Sequence, residues 1–277
     1  MLSTRKVLFA VALSTTAALS GACAARNEAQ LASDTSGAED VNGTESDVES
    51  LGASFVGSDG QSLATQSLLG GNIQVQGTGT TAVAAFTFLP TGCLTVSDDA
   101  ASSRVTYAFN GCTGPLGLVE LTGTVTAAYQ LAGGQLTVNF SAQNFQINRA
   151  TIDSWEATAV VTTSGSQRTM TWDAQLSGTT GEGRQFTRTN QKTITWTVGV
   201  ACIAASGQST GDILGDTLQT TVVSWQRCAD SCPQAGSEIQ VQNLTKGDSL
   251  DIKYDGGPTA ELTADGRSLE IRLACGD

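Results

Sequence analysis

From about residue 61 onward, apolar and polar residues alternate with a period of two. Across 119–129 the odd positions are Val119, Leu121, Gly123, Val125, Ala127 and Tyr129, and the even ones are Glu120, Thr122, Thr124, Thr126 and Ala128. Met170, Trp172, Ala174 and Leu176 alternate with Thr169, Thr171, Asp173 and Gln175. Ile194, Trp196, Val198 and Val200 alternate with Thr193, Thr195 and Thr197. Such runs predict strands with one buried and one wet face, and β-branched Thr suits the wet one. In 135–147 the phase slips between Phe140 and Phe145, which predicts a bulge near Ser141–Asn144.

Turn chemistry separates the runs: Gly133-Gly134, Ser164-Gly165, Gly181-Glu182-Gly183, Gly215-Asp216, Lys246-Gly247-Asp248, Asp255-Gly256-Gly257-Pro258 and Asp265-Gly266. No helical stretch of the kind that joins parallel strands lies between them. The fold class is therefore all-β: an antiparallel β-meander, built as a twisted sheet, a sandwich or a half-barrel. It closes with four short strands between about 236 and 275, marked by Ile239/Val241, Leu250/Ile252/Tyr254, Leu262 and Leu269/Ile271/Leu273.

The first sixty residues read differently. Residues 1–22 form a signal peptide, with Arg5 and Lys6 ahead of the apolar run VLFAVAL. Leu19-Ser20-Gly21-Ala22-Cys23 resembles a bacterial lipobox, which makes Cys23 the lipidated N-terminus; the alternative is plain secretion after Ala22-Cys23-Ala24. Residues 23–60 then read as a lipidated cysteine and a flexible acidic tether, with eight acids, one base (Arg26) and one aromatic (Phe55). The body is a single domain, 61–277. The chain carries 26 acids against 14 bases, a formal charge of −12. Half of the charge left after removal of the leader lies in the tether. That acidity argues against a nucleic-acid partner.

Without Cys23 six cysteines remain, an even set for an oxidising compartment. Cys202 and Cys228 are symmetric about the turn at 215, and Cys93 and Cys112 about the polar stretch Asp98–Ser103. The expected bridges are Cys93–Cys112, Cys202–Cys228 and Cys232–Cys275, with an exchange of Cys228 and Cys232 left open.

The chemistry on display is thin. Gly207-Gln208-Ser209-Thr210-Gly211 has the G-x-S-x-G form of a hydrolase elbow, but the chain has no histidine to activate the serine, and the residues after the motif read as another strand. The acid pairs Asp98/Asp99, Asp212/Asp216 and Asp248/Asp251 sit beside turns, where acids serve local hydrogen bonding. No catalytic residue, metal site or cofactor is expected. Trp155, Trp172 and Trp196 share strand faces with apolar residues and read as core, whereas Trp225 reads as the exposed aromatic. Arg184, Arg188 and Lys192 fall on even positions of one strand region. With Trp225 they form the candidate surface for an anionic glycan or headgroup.

Tyr107-Ala108-Phe109-Asn110-Gly111-Cys112-Thr113-Gly114-Pro115, Leu121-Thr122-Gly123-Thr124-Val125, Val138-Asn139-Phe140 and Phe145-Gln146-Ile147-Asn148 form an ordered series. With Tyr254-Asp255-Gly256-Gly257, Ala260-Glu261-Leu262 and Asp265-Gly266-Arg267, it resembles envelope lipoproteins of the Bacteroidetes and myxobacterial type, over roughly residues 90–275. The resemblance implies a β-rich domain held on the outer membrane through an N-terminal lipid, on its periplasmic or surface side, and supplies no catalytic residue. The function expected is non-enzymatic, in envelope structure or in binding a glycan. The alternative is a carrier of lipid or another apolar ligand, of the lipoprotein-sorting kind.

Overall fold

The computed structural model describes residues 44–45, 47–49, 51–52, 88–99, 101–113, 119–197, 200, 202–228, 231–264 and 266–272. The signal peptide, Cys23, most of the tether, residues 61–87 and Cys275 lie outside the described residues.

The body is one open antiparallel sheet of thirteen strands in strict chain order. They are β1 (Leu94–Asp99), β2 (Arg104–Thr113), β3 (Glu120–Ala132), β4 (Gln135–Ile147), β5 (Ala150–Ser164), β6 (Gln167–Thr179), β7 (Gln185–Thr197), β8 (Cys202–Ile213), β9 (Asp216–Cys228), β10 (Glu238–Asn243), β11 (Ser249–Tyr254), β12 (Thr259–Ala264) and β13 (Arg267–Arg272). Each Gly- or Asp-rich segment read as a turn falls between two successive strands, whereas the β4–β5 turn at Asn148-Arg149 was not among them. The four closing strands, β10 to β13, extend the same sheet.

Alternation sets which face is covered. In β6, Met170, Trp172, Ala174 and Leu176 are buried and their odd-numbered neighbours are wet or half-wet. In β4 the buried phase runs through Leu136, Val138, Phe140 and Ala142, then shifts to Phe145 and Ile147. The shift falls at Asn144, which takes a left-handed φ of 50°, and β3 slips register opposite it between Thr122 and Val125. The bulge read from the sequence is thus present. A second one in β5, between Ile152 and Ser154, turns Trp155 inward.

Two disulfides lie where hairpin symmetry places them. Cys202 and Cys228 are directly opposed on β8 and β9. The turn itself is Leu214-Gly215, and a register shift between Ala205 and Gly207 reconciles its centre with that of the two cysteines. Cys93 joins Cys112 beside the β1–β2 pairing, with Cα atoms 5.2 Å apart. Cys232 is also disulfide-bonded, and its expected partner, Cys275, lies outside the described residues.

The acidic stretch departs from the sequence reading. The described residues at 44–45, 47–49 and 51–52 are helical, and Val48 and Leu51 lie in the core of the sheet's covered face. A solvated spacer would leave both exposed. Two apolar side chains three residues apart share one side of a helix, and burying them favours docking. The acids beside them, Glu45 and Glu49, are buried against cations of β7.

Candidate functional site

On β7 the inward residues are Phe186, Arg188, Asn190, Lys192, Ile194 and Trp196. Arg188 and Lys192 therefore point into the covered face, with 3% and 8% exposure. The exposed basic strip expected from the sequence is not there: even positions on this strand are its inner ones, because Ile194 and Trp196 hold the same phase. Arg184 is half-buried at the turn before the strand.

The buried cations meet the acids of the helical segment. Arg188 Nε donates to Glu45 Oε1 at 2.6 Å, and its Nη1 donates to the Leu218 carbonyl at 2.9 Å. Its Nη2 donates to Ser209 Oγ at 2.7 Å and to Thr220 Oγ1 at 2.9 Å. Ser209 Oγ donates to Glu45 Oε2 at 3.1 Å. Lys192 Nζ donates to Glu49 Oε1 at 2.5 Å and to Glu45 Oε2 at 3.4 Å. Glu45 and Glu49, four residues apart, stand on one helical side and reach the two cations, also four apart on their strand.

The G-x-S-x-G motif belongs to this arrangement. It lies inside β8, with no strand-to-helix elbow. A Cβ on Gly211 would strike the Thr187 carbonyl oxygen, and one on Gly207 the Gln191 carbonyl oxygen. The glycines let the β8 backbone close onto β7, and Arg188 reaches past β8 to β9. Ser209 is a buried hydrogen-bonding group here.

Burial is the largest influence on Glu45, Glu49 and Lys192. For Glu45, the charges of Lys192 and Arg188 and hydrogen bonds from Arg188 and Ser209 overcome it, so the carboxyl titrates below its ordinary range. Burial and the adjacent Glu45 push Glu49 upward against the pull of Lys192. Burial would lower Lys192, but the charges of Glu49 and Glu45 raise it and hold the ammonium charged. Two acids and two bases leave the cluster formally neutral, and that balance allows it to be buried.

Aromatic rings flank the cluster. Trp172 pairs directly across from Lys192, and a Cβ on Gly52 would strike its ring. Trp155 and Trp172 have centroids 6.2 Å apart, and Phe140 stacks on Trp155 at 5.6 Å. Three buried indole nitrogens, of Trp155, Trp172 and Trp196, and the Asn190 Oδ1 have no hydrogen-bond partner among the described residues.

The opposite face of the sheet is open and polar. A groove of about 540 Å³ runs across β3 to β7 and is lined by Thr126, Asn139, Thr158, Gln175, Thr189 and Gln191, with Glu156 and Asp173 among them. Glu156 pairs with Gln175 and Thr158 with Asp173, so the two carboxylates stand diagonally across neighbouring strands. A second cleft, of about 360 Å³, is lined by Thr193, Thr195, Ser206, Val223, Ser224 and Gln226; Trp225 borders it, but it pairs with Ala205, which in turn lies opposite Ile194, so it stands on the inner side of β9 and not on the open face expected from the sequence. Gln191 and Thr193 alternate on the same side of β7, so the two clefts share a face.

Of the residues singled out by sequence, Trp225 is partly exposed on the inner side of β9, while Trp155, Trp172 and Trp196 are core. The acid pairs stay local: Asp99 accepts from Ala101 N and Ser102 Oγ, Asp212 from Thr217 Oγ1, and Asp216 pairs with Lys246. Sequence reasoning missed Glu45, Glu49, Thr220, Glu156 and Asp173, and met Ser209 only as part of a hydrolase-like motif. The four-residue spacing of Glu45 and Glu49 around Val48 was the one readable sign of the first two.

No protein family matches the chain, and neither a curated protein nor a solved structure matches it.

Proposed function

We propose that this chain is a non-enzymatic, lipid-anchored domain of the bacterial outer membrane that binds a neutral glycan on the open face of its sheet. One observation carries the reading. A cleft of about 360 Å³ on the open face is lined by the hydroxyls and amides of Thr193, Thr195, Ser206, Ser224 and Gln226, with the exposed Val223 beside them. Val223 offers an apolar contact to a sugar ring, and the uncharged groups around it can exchange hydrogen bonds with sugar hydroxyls. Arg188 and Lys192 are buried in ion pairs, so the anionic glycan of the sequence reading loses its partner, and a neutral one is favoured. The test is a glycan array probed with the full chain, followed by calorimetry on the strongest ligand with Gln226→Ala. Affinity should fall at least about tenfold, roughly 1.4 kcal/mol. Binding that survives the substitution, or an array without a hit, would overturn the reading.

A second reading, a carrier of an apolar ligand, is favoured by the four polar atoms on the covered face that lack partners among the described residues. Buried polar groups are ordinarily hydrogen-bonded, so atoms without partners call for something to complete them, such as water or a ligand.

A further inference from the structure

We infer that the covered face between the Trp172 ring and the Arg188–Lys192 pair is a binding site for a single-chain acidic amphiphile, a long-chain fatty acid, and that the helical residues 44–45, 47–49 and 51–52 occupy it as a tethered stand-in. The inference rests on the carrier reading and is independent of the glycan cleft.

The chemistry of the segment supports it. It presents carboxylates, Glu45 and Glu49, next to aliphatic Val48 and Leu51, the composition of a fatty acid's head and tail. The sheet supplies the complement. Arg188, Lys192, Ser209 and Thr220 converge as donors or polar partners on one carboxylate-sized volume, three of them touching Glu45 directly. A guanidinium fork is the side chain best shaped to hold a carboxylate. Beside it stand the Trp155, Trp172 and Phe140 rings, over a floor kept shallow by Ala157 and Ala174.

The site is also incompletely satisfied by its present occupant. Asn190 lies between Arg188 and Lys192 on the same inner side of β7, 2% exposed, with its Oδ1 unpartnered among the described residues. The Trp172 indole, opposite Lys192, is 1% exposed with its N–H likewise unpartnered. A carboxylic ligand, with waters accompanying its head, can serve both a donor and an acceptor there.

The strands carry every cation and ring of the site, whereas both acids come from a separate segment more than 140 positions earlier in the chain. Exchange of that segment for a carboxylic ligand therefore leaves the sheet's ladder intact, although the ligand brings one negative charge where the segment brings two. A tethered occupant competes at high effective concentration, so a free ligand binds with an apparent affinity reduced by the fraction of sites still occupied. Weakening the stand-in should strengthen the ligand.

The test titrates hexadecanoate, and uncharged hexadecanol as its control, into the purified full chain, wild type and Glu49→Gln. Calorimetry gives the affinity, and native mass spectrometry the stoichiometry. One hexadecanoate should bind per chain, about tenfold more tightly to Glu49→Gln, and hexadecanol at least tenfold more weakly to both. Glu45→Gln supplies a second arm through thermal unfolding: hexadecanoate should raise its midpoint more than that of the wild type, since the ligand replaces the missing charge. Equal affinity for hexadecanol, or no gain in either variant, overturns the inference and leaves the carrier reading standing. If neither amphiphile binds any of the proteins, both fall, and the glycan reading is untouched.

Discussion

The Arg188 guanidinium and the Glu45 carboxylate meet at 2.6 Å although 143 positions separate them, and each side chain is 1% exposed. The pair joins the acidic stretch near the N-terminus to the middle of the sheet. Its energetics turn on the group left behind when one partner goes. Glu45→Gln leaves Arg188 buried without its counter-charge, a change that costs about 3–5 kcal/mol in comparable buried pairs. Urea denaturation should show a loss of that size. A loss below about 1 kcal/mol would mean that the pair is no more than a surface contact.

Leu51 is fully buried, so Leu51→Ala should cost about 2–5 kcal/mol through lost transfer energy and the cavity left behind. A solvated spacer residue would change stability by roughly half a kcal/mol or less. Differential scanning calorimetry of this one variant therefore decides whether residues 44–52 belong to the folded body.

Asp47 adds a pH dependence. Burial raises its carboxyl from 3.8 to about 6, against the opposing hydrogen bond from Asn148 Nδ2 at 2.6 Å. A carboxyl raised on folding holds its proton more tightly in the native state. Its contribution is most favourable below 3.8 and is lost as pH climbs through about 6. Glu45, lowered on folding, acts with the opposite sign: its contribution is present above 4.5 and is lost as pH falls through its folded value. Asp47→Asn should therefore reduce the decline between pH 4 and 6, leaving the part due to Glu49, whose carboxyl is also raised, and keeping the acid-side loss due to Glu45. Unfolding free energies across that range, compared with wild type, check both.

Of the four tryptophans, three are buried, with exposures of 0%, 1% and 5%, and Trp225 is half-exposed. Iodide reaches only solvent-facing indoles, so it should quench one fraction of the emission in the wild type and almost none in Trp225→Phe. An unchanged quenching curve in the variant would place the accessible indole elsewhere.

The strands were legible because each carries the alternation of a sheet wet on one side, and a period of two cannot be mistaken over runs as long as β4 to β7. The bulge at Asn144 was legible for the same reason: a phase slip is visible in the order of Phe140 and Phe145. The Cys202–Cys228 bridge followed from hairpin symmetry, since opposed residues in a hairpin share one centre. The acidic segment was misread because composition averages over position. Glu45 and Glu49 raised its polarity, while the property that mattered was their spacing around Val48 and Leu51.

By itself, then, the sequence determined the local and the sequential: strands, turns, bulge phase and two near-neighbour disulfides, all set by alternation and chain distance. It also removed histidine-dependent chemistry from the G-x-S-x-G motif. Only the tertiary structure decided which face of β7 turned inward and so made Arg188 and Lys192 interior charges. It alone brought Glu45 and Glu49 to them, because a contact between residues some 140 positions apart leaves no periodic trace in either stretch. The acidity that looks like solubility in the chain becomes, for those two residues, the charge balance of a buried site.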